Sequence, residues 1–577
     1  MARYRKSGSE IIYTDKFKGL DMSREEKKTF SSSVYMKNFT VTEQYDLKKR
    51  PGYKKLTDGI VCDSCFYAET SNGGYFVYKN RKTLCAIRMT DCARLECETD
   101  STASVGYFVF GGAVYIYGRG FYYKFDGRSF TELDTYVPTV AVTCSPSGAG
   151  TVFESLNLLS EKAKISFSPD GTSTAYVLPK NAKSVVSVVL DGVELDDGYT
   201  YNAQSHTLTF DRAPAGGVPD SLTVTFYLSD ETVMQMSYIG SKFCIYGGAR
   251  DSRVFAYGSK NVLYYSDVTG KGSDVTYFPA DNFITVGDGG TVTALVRHYD
   301  RLIIFKEKET WFLSPSSVDC DGYSKPSFPL SPLNSTVGCA GGGAVYADNT
   351  PVTLSYDGIY VFGQSTVRDE RNAKRISDRA APYLTPALLY HGVVYDFETK
   401  KEIWICSGED VLIYNYGNDT FYAYDDIPAE LFFSLDGEAA FYSDGAICVF
   451  DEGTDTDDGK AFTATFESGF VCLDRTAKKR RLKRICLSYM PVRKGVITVS
   501  AEANRGGGCT AIFSGGVPSG FDFASLDFTA FTFNCSDTQA HLERRAHLSS
   551  FEALKLKITG EGGRSSVSSV SLYVDGA

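Results

Sequence analysis

Only 2 Trp and 5 His occur in 577 residues, and that scarcity removes most ready-made chemistry. No HExxH-type pair joins any of His206, His298, His391, His541 and His547, so a metal centre or catalytic triad would have to be assembled by the fold alone. Long apolar runs are missing too. No stretch approaches eighteen consecutive apolar residues, and the first thirty are polar and charged, so neither a membrane span nor a signal-peptide core is predicted. Basic excess is also absent: 60 Lys and Arg face 70 Asp and Glu, for a net charge of −10. Gripping nucleic acid by phosphate neutralisation needs the opposite balance. The 15 Cys are odd in number and scattered without framework spacing, which reads as reduced, buried small hydrophobes and assembly in a cytoplasm.

Aromatics and glycine are abundant instead. With 39 Tyr, 38 Phe and 54 Gly, the composition favours many short strands joined by tight turns. From about 60 to 137 one pattern repeats: a short aromatic or β-branched run, a Gly or Asp-Gly turn, then another run. Gly106-Tyr107-Phe108-Val109-Phe110 with Ala113-Val114-Tyr115-Ile116-Tyr117 is one case. The pattern stops at Pro138, resumes near 236, and continues to about 460 through hairpins such as Arg301–Phe305 with Thr310–Leu313. At roughly 40 to 50 residues per four-stranded blade, the two stretches hold about six or seven blades. An all-β fold built on a β-propeller is therefore predicted, against the alternative of a run of unrelated sandwiches.

The segment 138–235 has its own strand alternation and loop-like ends, and predicts an inserted Ig-like β-sandwich. Residues 461–577 predict a C-terminal β-sandwich, reached through an acidic linker at 451–460. Residues 1–59 read as an N-terminal arm and first strand, with the first 34 extended or poorly ordered. One stretch changes period: Val367, Ala373, Ile376, Ala380 and Leu384 predict a helix over Thr366–Leu384, ended by Pro382 and Pro386.

Candidate chemistry is thin. Cys62 and Cys65 form a CxxC without a second ligand pair, so two strand or turn cysteines fit better than zinc. Asp451–Gly459 has alternating oxygen donors but lacks the Gly and the Glu that complete a calcium loop, and reads as a solvated linker. Ser168-Pro169-Asp170-Gly171-Thr172 resembles a single sialidase Asp-box turn, and it falls inside the inserted domain. No catalytic residue, metal site or cofactor is expected, and the chain is not expected to be an enzyme. Two basic runs remain: Lys48-Lys49-Arg50, and Lys478-Lys479-Arg480-Arg481 continuing to Arg484. They fit an interface or DNA-proximal contact as well as they fit solvated turns.

Val34–Val41 followed by Tyr45-Asp46-Leu47-Lys48-Lys49-Arg50-Pro51-Gly52-Tyr53 resembles the opening of tail nozzle and head-completion (packaged-DNA stabilisation) proteins of short-tailed phages. Val296–Phe305 with Thr310–Leu313, Gly338–Tyr346, Asp357–Tyr360, Ile376–Asp378, Lys483–Ile485 and Leu554–Ile558 resemble later parts of the same proteins. The inserted segment is similar to phage adaptor modules at Phe167, Asp170-Gly171, Tyr176, Val189, Asp191-Gly192, Tyr199 and Ala213–Gly216. The resemblance implies a structural virion protein of the tail: a homo-oligomeric ring, usually of six copies, below the portal and adaptor. Such a ring retains packaged DNA, conducts it on ejection without reading its sequence, and meets tail fibres or other tail proteins. The insertion and the length depart from the short-tailed pattern and leave the tail type open. Two rival readings are a carbohydrate-binding tail adhesin and a propeller hydrolase or lyase.

Overall fold

The computed structural model describes residues 9–23, 29–247, 252–258, 260–269, 272–320, 323–363, 372–473, 479–492, 495–514 and 539–576. Its contacts divide the chain into two compact units, Cys62–Leu333 and Met1–Val61 with Asn334–Ala577. Aromatic and β-branched runs form short strands, and Asp-Gly pairs turn them. At Asp436-Gly437 and Asp444-Gly445 both residues have positive φ (50° and 84°, 45° and 75°), the geometry that two-residue hairpins require.

The first unit holds four antiparallel four-stranded blades, at 64–98, 105–132, 242–285 and 292–334. Blades 3 and 4 each carry an extra hairpin before their last strand. The first strands of successive blades lie side by side, and apolar layers fill the space between blades. Between blades 1 and 2 the layer includes Phe66, Tyr75, Ile116 and Phe125. Between 2 and 3 it includes Phe108, Tyr115, Val254 and Tyr264. Between 3 and 4 it includes Phe255, Leu263, Leu302 and Ile304. Radially repeated, face-packed meanders of this kind are propeller blades.

Blade 2 is followed by a two-sheet sandwich, one sheet of six strands and one of three. Its separate core contains Ile165, Phe167, Tyr176, Leu208, Val224 and Phe226.

The other unit holds three more blades, at 344–375, 393–424 and 431–451, and the total of seven among the described residues lies within the predicted six or seven. The last blade is completed by the strand Gly52–Thr57, paired with Ala446–Asp451 across almost 400 residues of chain. The strand Ser33–Lys37 lies between Thr420–Tyr424, the outer strand of blade 6, and Ala464–Ser468. It thereby joins blade 6 to one sheet of the C-terminal sandwich in a single ten-stranded sheet. Leu47–Lys49 and Ser9–Thr14 enter the other sheet of that sandwich by pairing with Ser566–Gly576, and Phe39–Val41 pairs with Leu47–Lys49 at its edge. The N-terminal residues 9–23 and 29–57 are thus part of the fold.

The predicted helix is corrected. Residues 364–371 lie outside the described residues, Ala373–Arg375 is the outer strand of blade 5, and Ser377–Tyr383 is a 3-10 turn broken at Ala380. Pairing of Tyr360 with Arg375 satisfies the backbone as a blade edge, and Pro382 has no N–H for a helical ladder. Pro386, expected to end a helix, opens one: Pro386–His391 has Pro in its first turn, and the Thr385 side chain accepts from Leu388 N at 3.1 Å.

Candidate functional site

The first basic run is not a surface. Arg50 follows a strand of the C-terminal sandwich and precedes the blade-closing strand, and this passage takes it inside, where it is fully buried. Its Nη1 and Nη2 donate to Asp457 Oδ1 and Oδ2 at 2.8 and 2.6 Å, and Nε donates to Asn38 Oδ1 at 2.8 Å. Nη1 also donates to the Pro51 carbonyl at 3.0 Å, Nη2 to the Asp425 carbonyl at 3.2 Å, and the guanidinium lies 3.9 Å from the Phe462 ring centroid. A forked guanidinium satisfied on every edge is the arrangement in which a buried charge is tolerated.

Lys49 is 1% exposed, with Nζ donating to the carbonyls of Gly562 at 2.7 Å and Asp455 at 3.3 Å. Burial pushes its ammonium pKa down. The expectation that Lys49 and Arg50 face an interface or DNA is therefore corrected: both charges are consumed internally. Lys48 stays partly exposed, paired with Glu452 at 3.3 Å.

The acidic segment at 451–458, expected to be a solvated linker, is exposed or half-buried apart from the buried Asp457, and it also supplies ion-pair partners. Asp451 takes Lys54 at 2.5 Å, Glu452 takes Arg564 at 2.5 Å, Asp457 takes Arg50, and Asp458 takes Lys55 at 3.1 Å. Hydrogen bonds from Lys54, the Gly453 N–H and Thr454 hold the Asp451 carboxyl down at about 2. Asp457, Asn38 and Phe462 escaped the sequence reading, because nothing local ties a turn at 50 to a loop some 400 residues later.

The second basic run does reach the surface. Lys478 lies outside the described residues, Lys479 and Arg481 are exposed, and Arg480 pairs with Glu10 at 2.7 Å. The strand Arg480–Met490 runs between Ala540–Phe551 and Ser566–Gly576. Leu482, Ile485 and Leu487 turn inward and are buried, while Arg481, Lys483 and Arg484 are exposed.

A cavity of about 410 Å³ opens between the 40–51 segment and blades 6 and 7, lined by Glu402, Trp404, Asn415, Tyr424, Lys400 and Arg564, among others. The Glu402 carboxylate accepts from Trp404 Nε1 at 2.8 Å and Tyr422 OH at 2.6 Å, and burial pushes its pKa up. Cys62 and Cys65 are half-buried, and among the described residues no group of three or more His, Cys, Asp or Glu is placed to hold a metal ion. Asp170 accepts from Thr172 N, Ser173 N and Ser173 Oγ at 2.8, 2.7 and 2.6 Å, which is a self-satisfied turn inside the inserted sandwich. Among the described residues no helix is long and apolar enough to cross a membrane.

The class defined by this architecture is an all-β propeller protein with an inserted and a C-terminal sandwich. No protein-family model matches the chain, and no curated protein matches it. Among solved structures it is similar to PorZ, an essential bacterial surface component of the type-IX secretion system of Porphyromonas gingivalis, at 10% identity and TM-score 0.31, over 79% of this chain and 45% of that one. It is similar to a chain of a mitotic checkpoint complex at 11% identity and TM-score 0.33, over 71% and 96% of the two chains. An exo-β-1,3-galactanase from Phanerochaete chrysosporium follows at 9% identity and TM-score 0.19, over 91% and 100%. At these scores the likenesses carry no functional argument.

Proposed function

We propose that the chain is a structural virion protein, a subunit of the ring that forms the nozzle of a phage tail below the portal and adaptor, retaining packaged DNA and conducting it on ejection. The observation that carries this reading is the path of the segment that resembles nozzle and head-completion proteins. Residues 33–57 run through blade 6, both sheets of the C-terminal sandwich and blade 7, so the arm stiffens the unit it opens. Burial of Lys49 and Arg50 also removes two cations from the surface of a chain with net charge −10, which suits DNA that must slide without sticking. In this reading the role is non-enzymatic and the protein is assembled in the host cytoplasm.

The test is the assembly state of the purified protein, alone and mixed with the portal and adaptor of the same virus, by mass photometry and electron microscopy. Closed rings are expected, because channel components use heterologous contacts that close by rotation. A monomer under every condition would overturn the reading.

A second reading, the glycan-binding adhesin, draws on the cavity beside Glu402, whose volume of about 410 Å³ and mixed polar and aromatic lining suit a small sugar. A glycan array decides it: binding that Asn415→Ala abolishes would favour the adhesin, and a blank array would remove it.

A further inference from the structure

The outer face of the C-terminal sandwich combines charge and apolar surface in an arrangement that the chain itself neutralises only in part. Across adjacent antiparallel strands Arg484 stands directly opposite Arg545, and both are exposed. Like charges placed opposite one another on a sheet are unfavourable unless a counter-charge joins them. Glu543 takes Arg484 at 2.7 Å and Asp575 takes Lys483, leaving Arg481 and Arg545 without an ion pair among the described residues. The same row continues from Arg484 through Tyr573 to Ile11, and the neighbouring row ends at Tyr13. Ile11 and Tyr13 are both more than half exposed.

A surface of matching character lies at one tip of the inserted sandwich. The hairpin turn Asp191-Gly192, with φ of 49° and 81°, presents Asp191, Glu194, Asp196 and Asp197, all exposed. Asp191 N donates to the Ser221 carbonyl, which brings Asp220 to the same tip. No Lys or Arg occurs from 184 to 211. Between these acids Val193 and Val218 are more than half exposed. One tip therefore carries acids around apolar side chains, and one sheet face carries cations beside apolar side chains.

We propose that, between copies, the acidic tip of the inserted sandwich seats on the basic outer face of the C-terminal sandwich of a neighbouring copy. This contact rests on the ring reading and names its partner surface. It is heterologous, since each copy offers a tip and a face, and repetition of such a contact closes a ring when its rotation closes, as the ring reading requires. Charge complementarity sets register and encounter rate, and the apolar pairs supply the dry centre.

Charge-swapped variants of the full chain test it. Arg481→Glu with Arg545→Glu makes the face acidic against an acidic tip. Asp196→Lys with Asp197→Lys makes the tip basic against a basic face. Each double variant alone is expected to raise the concentration needed for ring assembly at least about tenfold, while its circular dichroism and melting stay those of the wild type. An equimolar mixture of the two is expected to assemble again in alternating order, because every tip then meets a face of opposite charge. Wild-type-like rings from either variant alone, or no rescue in the mixture, would overturn the contact while leaving the ring reading intact. Normal assembly of the face variant with lost retention on immobilised duplex DNA would assign the face to phosphate and also overturn it. A wild-type chain that never assembles removes the ring reading and this contact together.

Discussion

Arg50 and Asp457 form a two-pronged ion pair, at 2.8 and 2.6 Å, with both side chains at 5% exposure or less. The pair ties the turn that leads into the blade-closing strand to the loop that follows blade 7. Removing one partner leaves the other charged and buried, which costs about 3–5 kcal/mol. Asp457→Ala and Arg50→Met should therefore each lower the melting temperature sharply, and the double variant should lose less than the two single losses added. Additive losses in that cycle would show that the pair is not coupled.

Closure of blade 7 depends on close backbone approach at Gly52. A Cβ built there would lie 1.9 Å from the Thr456 carbonyl oxygen, so Gly52→Ala has to push the loop and the closing strand apart. A loss of about 1–3 kcal/mol is expected, together with faster proteolysis of the N-terminal segment. Wild-type protease resistance in the variant would argue that the last blade does not need its fourth strand.

These two features also mark the limit of what local pattern can disclose. Hairpins such as Gly106–Phe110 with Ala113–Tyr117 were legible because aromatic and β-branched runs and a Gly-Gly turn are properties of adjacent residues. The inserted sandwich was legible in Ile165, Phe167, Val224 and Phe226 for the same reason. The strand exchange was not, since Gly52–Thr57 pairs with residues almost 400 positions away. The basic run at 48–50 misled because a run of cations reads as surface until Asp457 is brought to it. In Arg480–Arg484 the alternation with Leu482 was the usable signal, and there Arg481, Lys483 and Arg484 do stand outside.

Asp396 gives the protein a pH dependence of defined sign. Its Oδ1 is buried without a hydrogen-bond partner among the described residues. Burial pushes the carboxyl up to about 6, opposed by a hydrogen bond from Tyr416 and reinforced by Glu398 and Asp348. The ordinary value is 3.8, so between the two the folded state binds the proton more tightly than the unfolded state. Stability linked to this group therefore falls as pH rises through about 6. Asp396→Asn should melt higher than wild type at pH 8, and the difference should shrink as pH falls to 5. A difference that does not change with pH would show that Asp396 titrates normally.

The inserted sandwich should fold by itself, yet its docking should depend on one asparagine. A segment of residues 138–236 contains the whole of the separate core, and the sandwich needs no strand from the blades to complete either sheet. It should therefore give a soluble domain with cooperative unfolding. Asn157 is 1% exposed. Its Nδ2 donates to the carbonyls of Tyr136 at 2.7 Å and Thr276 at 2.9 Å, while Oδ1 accepts from Phe278 N at 3.0 Å and Leu159 N at 3.1 Å. Leu158 and Leu159, beside it, pack on the layer between blades 2 and 3. Asn157→Ala strands buried backbone groups of blade 3 and of the approach to the insert, at a cost of about 1–3 kcal/mol. In the full chain it should increase hydrogen exchange at Thr276–Phe278, while in the isolated segment it should leave the unfolding midpoint where it was. Should the isolated segment fail to fold, its core would depend on the blades. Should Asn157→Ala instead destabilise the isolated segment, the asparagine would belong to the sandwich and not to its anchorage.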